Sequence, residues 1–319
     1  MYLLLLAGFA LLIKGADYFI EGASKIADIL QVSPLIVGLT IVAFGSGAPE
    51  ATVSIIAALE GNPDVTLGNV VGSNILNISL VVGVTAFIFP LKVTSATVRK
   101  EIPFTLLASI ALIVLINDMS LQQATENMIT RSDGIIFLMF FAIFMYYIFE
   151  AARNSRDKIM EENKPADDAG RSYSKPVLLT ATGLGAIILG GYFVVESSTT
   201  IAFRLGMSES LAGLTIVAFG SSLPELVTSV TAALKKHSEI AIGNIVGSSI
   251  FNILFVLGIA SIIAPLPVNS KMFFDVSVMT FLTVLLWFFS KTQCKVGKYE
   301  GITLVMGYII YLIYIILRN

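Results

Sequence analysis

The sequence predicts an all-α polytopic membrane protein with ten transmembrane helices, built as two inverted-topology repeats of five helices. Three observations predict it. Of the 319 residues 56% are hydrophobic and 13% charged, with a mean hydropathy of +0.87, whereas soluble domains run at about 45–50% apolar and about 25% charged. Ten segments meet the requirement of about 20 mostly apolar residues for crossing a bilayer. A block of 46 residues recurs later in the chain, five spans on. This composition excludes disorder, fibrous repeats, nucleic-acid binding and a single soluble core. The net charge of −2 says little, because the location of charges matters more than their sum in such a chain.

The first span, 2–27, lacks a basic leader and runs on into Lys14, Asp17 and Glu21, which reads as a retained helix and not a cleaved signal peptide. The second, 33–59, is closed by Glu60-Gly61-Asn62-Pro63-Asp64. The third, 66–90, and the fourth, 102–117, are parted by Arg99-Lys100, and the fifth covers 134–150. Residues 151–175 form the one sizeable polar linker, dividing the chain into a first five-helix repeat, 1–150, and a second, 176–319. The sixth and seventh spans are 176–197 and 208–234, followed by Lys235-Lys236-His237. Spans 240–265, 272–290 and 299–317 complete the set, with a polar turn at 295–298. His237, the single histidine, reads as a solvated turn residue, and the single cysteine, Cys294, leaves no intramolecular disulfide or thiolate cluster.

With the N-terminus outside, fifteen Lys and Arg fall on the cytoplasmic side, among them Lys25, Lys92, Arg99, Lys100, Lys235 and Lys295. Arg131, Arg204, Lys271 and Arg318 fall outside, and Lys14 lies within the first span. That positive-inside bias orients the chain in a cell membrane with both termini out and the linker in the cytoplasm.

A shift of 175 residues aligns 38–83 on 213–258 without a gap, with 25 of 46 positions identical. The first copy reads GLTIVAFGSGAPEATVSIIAAL and GNVVGSNILNISLVVG; the second reads GLTIVAFGSSLPELVTSVTAAL and GNIVGSSIFNILFVLG. Chance agreement between apolar stretches matches Leu to Ile, not Gly, Pro, Glu and Asn at fixed spacing. Five spans per half make the second copy enter from the opposite side, an architecture used by secondary transporters with midplane sites on interrupted helices. Duplication for packing alone would repeat small apolar residues, yet the repeated positions include a carboxylate and two Asn per copy.

Pro49 and Pro224 sit mid-span, each after a Gly-Ser run and each directly before an acid, Glu50 or Glu225. Proline removes a helical donor and clashes with the preceding turn, so both helices must kink. Carbonyls released there, near Ala43 and Ala218, are tolerable in lipid only where they line a cavity or ligate something. A carboxylate at bilayer depth costs about 2.5–3.5 kcal/mol on insertion scales, and no Lys, Arg or His shares the depth of Glu50 and Glu225. Either one carboxyl is protonated or cations occupy the site; a structural acid tied to backbone is the plainer alternative. Asn69, Ser73 and Asn77 stand at i, i+4 and i+8 on one helical stripe, and Asn244, Ser248 and Asn252 repeat it, with Gly72 and Gly247 permitting close approach. Asn69 and Asn244 read equally as ligands or as interhelical glue; the deeper Ser73, Asn77, Ser248 and Asn252 read as ligands. This inventory holds only oxygen donors, which suit Ca²⁺, Na⁺ or Mg²⁺ over Zn²⁺ or Cu⁺. Two carboxylates balance one divalent ion, or several Na⁺ shared among hydroxyls.

These motifs resemble the α-1 and α-2 repeats of the cation/calcium exchanger superfamily, specifically its sodium/calcium exchanger branch, over nearly the whole chain. The resemblance implies electrogenic Na⁺/Ca²⁺ antiport by alternating access, with Ca²⁺ and Na⁺ as transported substrates. It implies ligands at Ala43, Ser46, Glu50, Ser73 and Asn77, and at Ala218, Ser221, Ser222, Glu225, Ser248 and Asn252. Gly47 departs from the Ser of many relatives and removes a hydroxyl; Ser46 and Ser221 replace the commoner Thr; Asn252 stands where potassium-dependent relatives carry Asp. A proton-coupled Ca²⁺ antiporter and a cation channel are the rival readings. No enzyme motif, cofactor, nucleic-acid partner or obligate protein partner is expected. The Gly-rich first and sixth spans read either as a sliding gate or as a close-packed pair.

Overall fold

The computed structural model describes residues 2–123, 125–162, 173–204, 218–292 and 294–318. Its helices are α1 (Tyr2–Leu30), α2 (Pro34–Ser46), α3 (Ala48–Leu59), α4 (Pro63–Ile88), α5 (Ser95–Arg99), α6 (Glu101–Leu115), α7 (Asp118–Gln122), α8 (Arg131–Glu162) and α9 (Ser174–Arg204). They continue as α10 (Ala218–Ser221), α11 (Leu223–Leu234), α12 (Ser238–Ile263), α13 (Ser270–Lys291) and α14 (Lys298–Arg318). Among the described residues seven helices are long and apolar enough to cross a membrane, and α2 with α3 makes an eighth span bent by 49°. The molecule is a helical polytopic membrane protein. Part of the expected seventh span (208–217), part of the second motif copy (213–217) and part of the linker (163–172) lie outside the described residues.

The expected linker is helical where it begins. α8 runs twelve residues past the expected end of its span at 150, through AARNSRDKIMEE. Polarity ends a hydrophobic span but not a helix, and Ala, Arg, Lys, Met and Glu are good helix formers with no Gly or Pro among them. Two short antiparallel pairs were not foreseen. β1 (Leu91–Lys92) pairs with β4 (Lys295–Val296), and β2 (Met128–Ile129) with β3 (Leu266–Pro267).

α4 and α12 are the central helices, with 72% and 83% of their apolar windows buried against 11–39% for α1, α8, α9, α13 and α14. The outer helices turn Leu3, Tyr146, Phe149, Phe281 and Leu317 outward, which costs nothing against acyl chains. Glycine sets how closely helices cross. A Cβ on Gly243 would lie 2.8 Å from the Leu35 carbonyl oxygen, and one on Gly247 2.7 Å from that of Leu39, so α2 lies directly on α12. Positions 210 and 214, the counterparts of Leu35 and Leu39, are outside the described residues, so the matching contacts of Gly68 and Gly72 are not described. α1 crosses α9 the same way, with Gly8 on Gly190 and Gly15 on Gly183.

Among the described residues three turns are widened to the π form: Gly38–Val42 within α2, Asn77–Val81 within α4 and Phe251–Val256 within α12. Such turns interrupt the ordinary hydrogen-bond ladder and cluster at functional positions. Two of them hold Asn77 and Asn252.

Candidate functional site

Glu50 and Glu225 each stand in the first turn of a twelve-residue helix, with proline as the residue before. The chain bends at Gly47 (φ −79°, ψ −1°) before α3 and passes through Ser222 (φ −94°, ψ 6°) in nearly the same conformation before α11. Proline at the second helical position needs no donor, so the bend and the new helix start are dictated together. The acid that follows lies at a helix N-terminus, where the peptide dipoles favour negative charge.

Both acids are fully buried. The Glu50 carboxyl lies against Ser222 and Glu225; the Glu225 carboxyl lies against Glu50 and Ser46. None of the four carboxyl oxygens has a hydrogen-bond partner. The described ion pairs are all elsewhere: Lys14–Asp17, Lys25–Glu21, Lys235–Asp17 and Arg318–Asp275. Two facing acids without a cationic side chain are costly, about 4 kcal/mol of repulsion at 4 Å for an effective dielectric near 20 if both are charged.

The neutral oxygens gather around them. Asn77 and Asn252 are fully buried, and neither amide nitrogen nor oxygen of either has a partner. The widened turn of Asn77 packs on α11, which carries Glu225, and that of Asn252 packs on α3, which carries Glu50. The Ser222 hydroxyl is buried and unpartnered as well. Ser73 is buried on α4, and Ser248 is buried on α12. Ser46 donates to Asn244 Oδ1 at 2.9 Å. Ser221 ends α10, and the side chain of Ala218 is outside the described set. The structure therefore brings together Glu50, Glu225, Ser46 and Ser222 directly, with Asn77 and Asn252 on the helices packed against them. Among the described residues no three Asp, Glu, His or Cys cluster; the donor set is two carboxylates and neutral oxygens, as hard cations prefer.

One expectation changes. The Ala43 carbonyl is not released by the kink: it accepts Gly47 N–H at 3.0 Å and the Ser248 hydroxyl at 3.3 Å. Proline frees the carbonyl four residues before it, which for Pro49 is that of Gly45, so the freed group was misplaced by two residues. Ala43 can ligate only through a lone pair that Ser248 now uses.

The two open readings of Asn69 and Asn244 resolve as scaffold. Asn69 donates to the Glu50 carbonyl at 3.1 Å and to Ser54 Oγ at 2.9 Å. Asn244 accepts from Ser46 and donates to Thr228 at 3.1 Å and Ser229 at 2.9 Å. Ser54 and Ser229 were missed by sequence reasoning, although each stands four residues after a motif Glu and they match under the 175-residue shift. The halves are not equivalent at Gly47: a Cβ there would lie 3.5 Å from Glu225 Oε1, whereas the counterpart residue Ser222 places a hydroxyl beside Glu50.

The family profile described as Sodium/calcium exchanger protein matches residues 1–150 and 175–317. The chain belongs to the sodium/calcium exchanger family. CaxA of Alkalimonas amylolytica is 39% identical over 312 residues, covering 96% of this chain and 95% of that protein. Sodium/calcium exchanger MaX1 of Methanosarcina acetivorans is 31% identical, covering 98% and 97%. The solved structure of the sodium-calcium exchanger NCX_Mj soaked with zero Na⁺ and Ca²⁺ superposes with a TM-score of 0.83 at 30% identity, covering 98% of this chain and 97% of that one.

In this exchanger the Asn244 knot predicts an asymmetry. Asn244→Ala releases Ser46, Thr228 and Ser229 inside the bundle, whereas Asn69→Ala releases Ser54 and one carbonyl at a half-buried position. Loss of a partner that orients a ligand costs about 10–100-fold in affinity. Calcium titrations followed by tryptophan or calorimetric signal are expected to weaken by that factor for Asn244→Ala and by less for Asn69→Ala.

Proposed function

We propose that this exchanger is a secondary antiporter that trades Na⁺ for Ca²⁺ by alternating access, moving net charge in each cycle. One observation carries the reading: two fully buried carboxyls from equivalent positions of the two motif copies face each other without a basic partner, beside only the hydroxyls of Ser46 and Ser222. Two negative charges match one Ca²⁺; hydroxyls and amides around them suit Na⁺ when the divalent ion leaves. Competition for one cage is what couples the two fluxes. The proposed cage is Glu50, Ser46, Ala43, Ser73 and Asn77 with Glu225, Ser221, Ser222, Ala218, Ser248 and Asn252.

The same reading gives ten spans in two inverted halves, 1–150 and 176–319, with the linker 151–175 in the cytoplasm and both termini outside. Contacts between loops support the grouping of these loops into two sides, while the assignment of one side to the cytoplasm rests on the positive-inside bias. Lys92 pairs with Lys295, Trp287 donates to the Val98 carbonyl and Tyr147 to Glu101, all joining segments assigned to the cytoplasm. Asn269 donates to Asp64, Met128 pairs with Pro267 and Arg318 donates to the Lys271 carbonyl, all joining segments assigned outside.

The test is flux in proteoliposomes. An outward Na⁺ gradient is expected to drive ⁴⁵Ca²⁺ uptake, faster with an interior-positive potential when Na⁺ is the only exit ion and more than two leave per Ca²⁺. Uptake driven by a pH gradient in Na⁺-free medium would assign a proton-coupled antiporter instead, and large single-channel currents a channel.

α1 and α9 are proposed to move together as the gate. Their glycine-mediated crossing makes them one unit, and the ion pair of Asp17 with Lys235 at 3.2 Å ties that unit to the end of α11. In a Cys294→Ser background, Asp17→Cys with Lys235→Cys bridged by a short bifunctional maleimide is expected to stop exchange and leave Ca²⁺ binding intact. Undiminished uptake after complete cross-linking contradicts a mobile α1–α9 pair.

A further inference from the structure

Glu101 is the buried acid that the cation site does not use. It opens α6 with 1% of its surface exposed, and its Oε1 accepts the Tyr147 hydroxyl while its Oε2 has no partner. On the other side of the molecule, Asp275 near the start of α13 is met by Arg318 through two bonds of 2.9 and 3.0 Å. Glu101 has no such counter-charge among the described residues. A buried carboxylate oxygen left without a donor is expensive, so its preferred complement is a cationic N–H group.

A cavity of about 320 Å³ opens beside it, walled by the start of α2 (Ser33, Leu35, Ile36), by Lys100 and by the end of α8 (Asn154). That volume falls within the range of small-ligand pockets. Its walls pass from Leu35, Ile36, Leu39 and Ile148 to Ser33, Asn154 and Ser155, which is the change from hydrocarbon to head-group level. The second charge on the wall is Lys100, whose Nζ lies 5.3 Å from the centre of the Tyr147 ring. A fixed acid with an unpartnered oxygen and a flexible ammonium on the same cavity wall describe a receptor for a zwitterion.

We propose that this cavity holds the head group of an ethanolamine phospholipid, its ammonium on Glu101 Oε2 and its phosphate on Lys100. Choline cannot serve the same oxygen, because its nitrogen carries no hydrogen. A phosphoglycerol head brings no positive charge to Glu101. A metal ion would need several more oxygens than this wall supplies and would sit beside the Lys100 ammonium. The bound lipid bridges α2, α6 and α8 at their cytoplasmic-side ends, and the proposal stands whatever ions the central cage carries.

Native mass spectrometry of the detergent-purified exchanger decides it, with phosphatidylethanolamine, phosphatidylcholine and phosphatidylglycerol of identical acyl chains added in equal amounts. Ethanolamine-lipid adducts are expected to exceed choline-lipid adducts by at least about tenfold, the least that a charge-assisted hydrogen bond supplies. Glu101→Gln is expected to bring the two lipids level. Ala151→Phe, which fills the cavity from its rim without touching Glu101, is expected to lower ethanolamine-lipid adducts by a similar factor and guards against Glu101→Gln failing to fold. Equal adducts in the unsubstituted protein, a preference that survives both substitutions, or a Glu101-dependent metal adduct without lipid preference would overturn the proposal.

Discussion

Glu50→Gln and Glu225→Gln are each expected to lower Na⁺-driven ⁴⁵Ca²⁺ uptake at least about 100-fold, since losing a group that only orients a metal ligand already costs about 10–100-fold. The argument runs from the geometry. Both acids are fully buried and face one another, so removing either leaves a single charge for a divalent ion. Glutamine keeps the size and one oxygen but not the charge, and its NH₂ points a donor where a cation should sit. The same substitutions should have the opposite effect on stability without ions. A structural acid leaves firmly held donors orphaned when it is neutralised, yet here only the Ser46 and Ser222 hydroxyls lie against the carboxyls and none of the four oxygens is held by a formed hydrogen bond. Removing one acid therefore relieves repulsion and strands nothing, and melting in Na⁺- and Ca²⁺-free detergent is expected to shift upward by a few degrees, about 1 kcal/mol. Added Ca²⁺ should stabilise the unsubstituted protein and not the variants. A downward shift in ion-free buffer would mark the acids as structural.

The second large effect concerns the crossing of α2 and α12. Gly243→Val and Gly247→Leu are each expected to destabilise the fold by about 3 kcal/mol, at the upper end for overpacking. The atoms that meet the new side chains are mostly backbone: Leu35 O at 2.8 Å and Leu39 N at 3.0 Å for Gly243, Leu39 O at 2.7 Å for Gly247. Backbone cannot rotate aside as a side-chain end can, so the helices must part. Parting them draws Asn244 from Ser46 and Ser248 from the Ala43 carbonyl, so surviving protein should also lose Ca²⁺ affinity. Yield of monodisperse protein after extraction and its melting temperature measure the first effect. Normal values for both variants would mean that α2 and α12 approach less closely than 2.7–3.0 Å contacts at these glycines require.

Most of the site was legible because the chain repeats its chemistry. A Pro-Glu pair at matched positions, recurring among conserved apolar spacing within one sequence, fixes both a kink and an acid from local rules alone. Asn77 and Asn252 were found by helical period. What a period cannot register is a turn that abandons it: the π turns at Asn77–Val81 and Phe251–Val256 arise from how α4 and α12 pack at the centre, not from a local residue signal. Asn69 and Asn244 carry the same sequence signal as the deeper Asn residues, and only the neighbouring Ser54, Thr228 and Ser229 reveal them as scaffold. The end of α8 was hidden for a different reason, since hydropathy marks where lipid ends and not where a helix does. Glu101 carries no local signal of burial, because its cover comes from α2 and α8, which are separate segments of the chain.

Calcium-binding isotherms at several Na⁺ concentrations test the shared cage most directly, run on the unsubstituted protein, Glu50→Gln and Glu225→Gln. Saturation at one tightly held Ca²⁺ per chain, competitive displacement by Na⁺, and collapse of the isotherm in both variants is the predicted result. Binding that survives either substitution, or that Na⁺ leaves untouched, would contradict it.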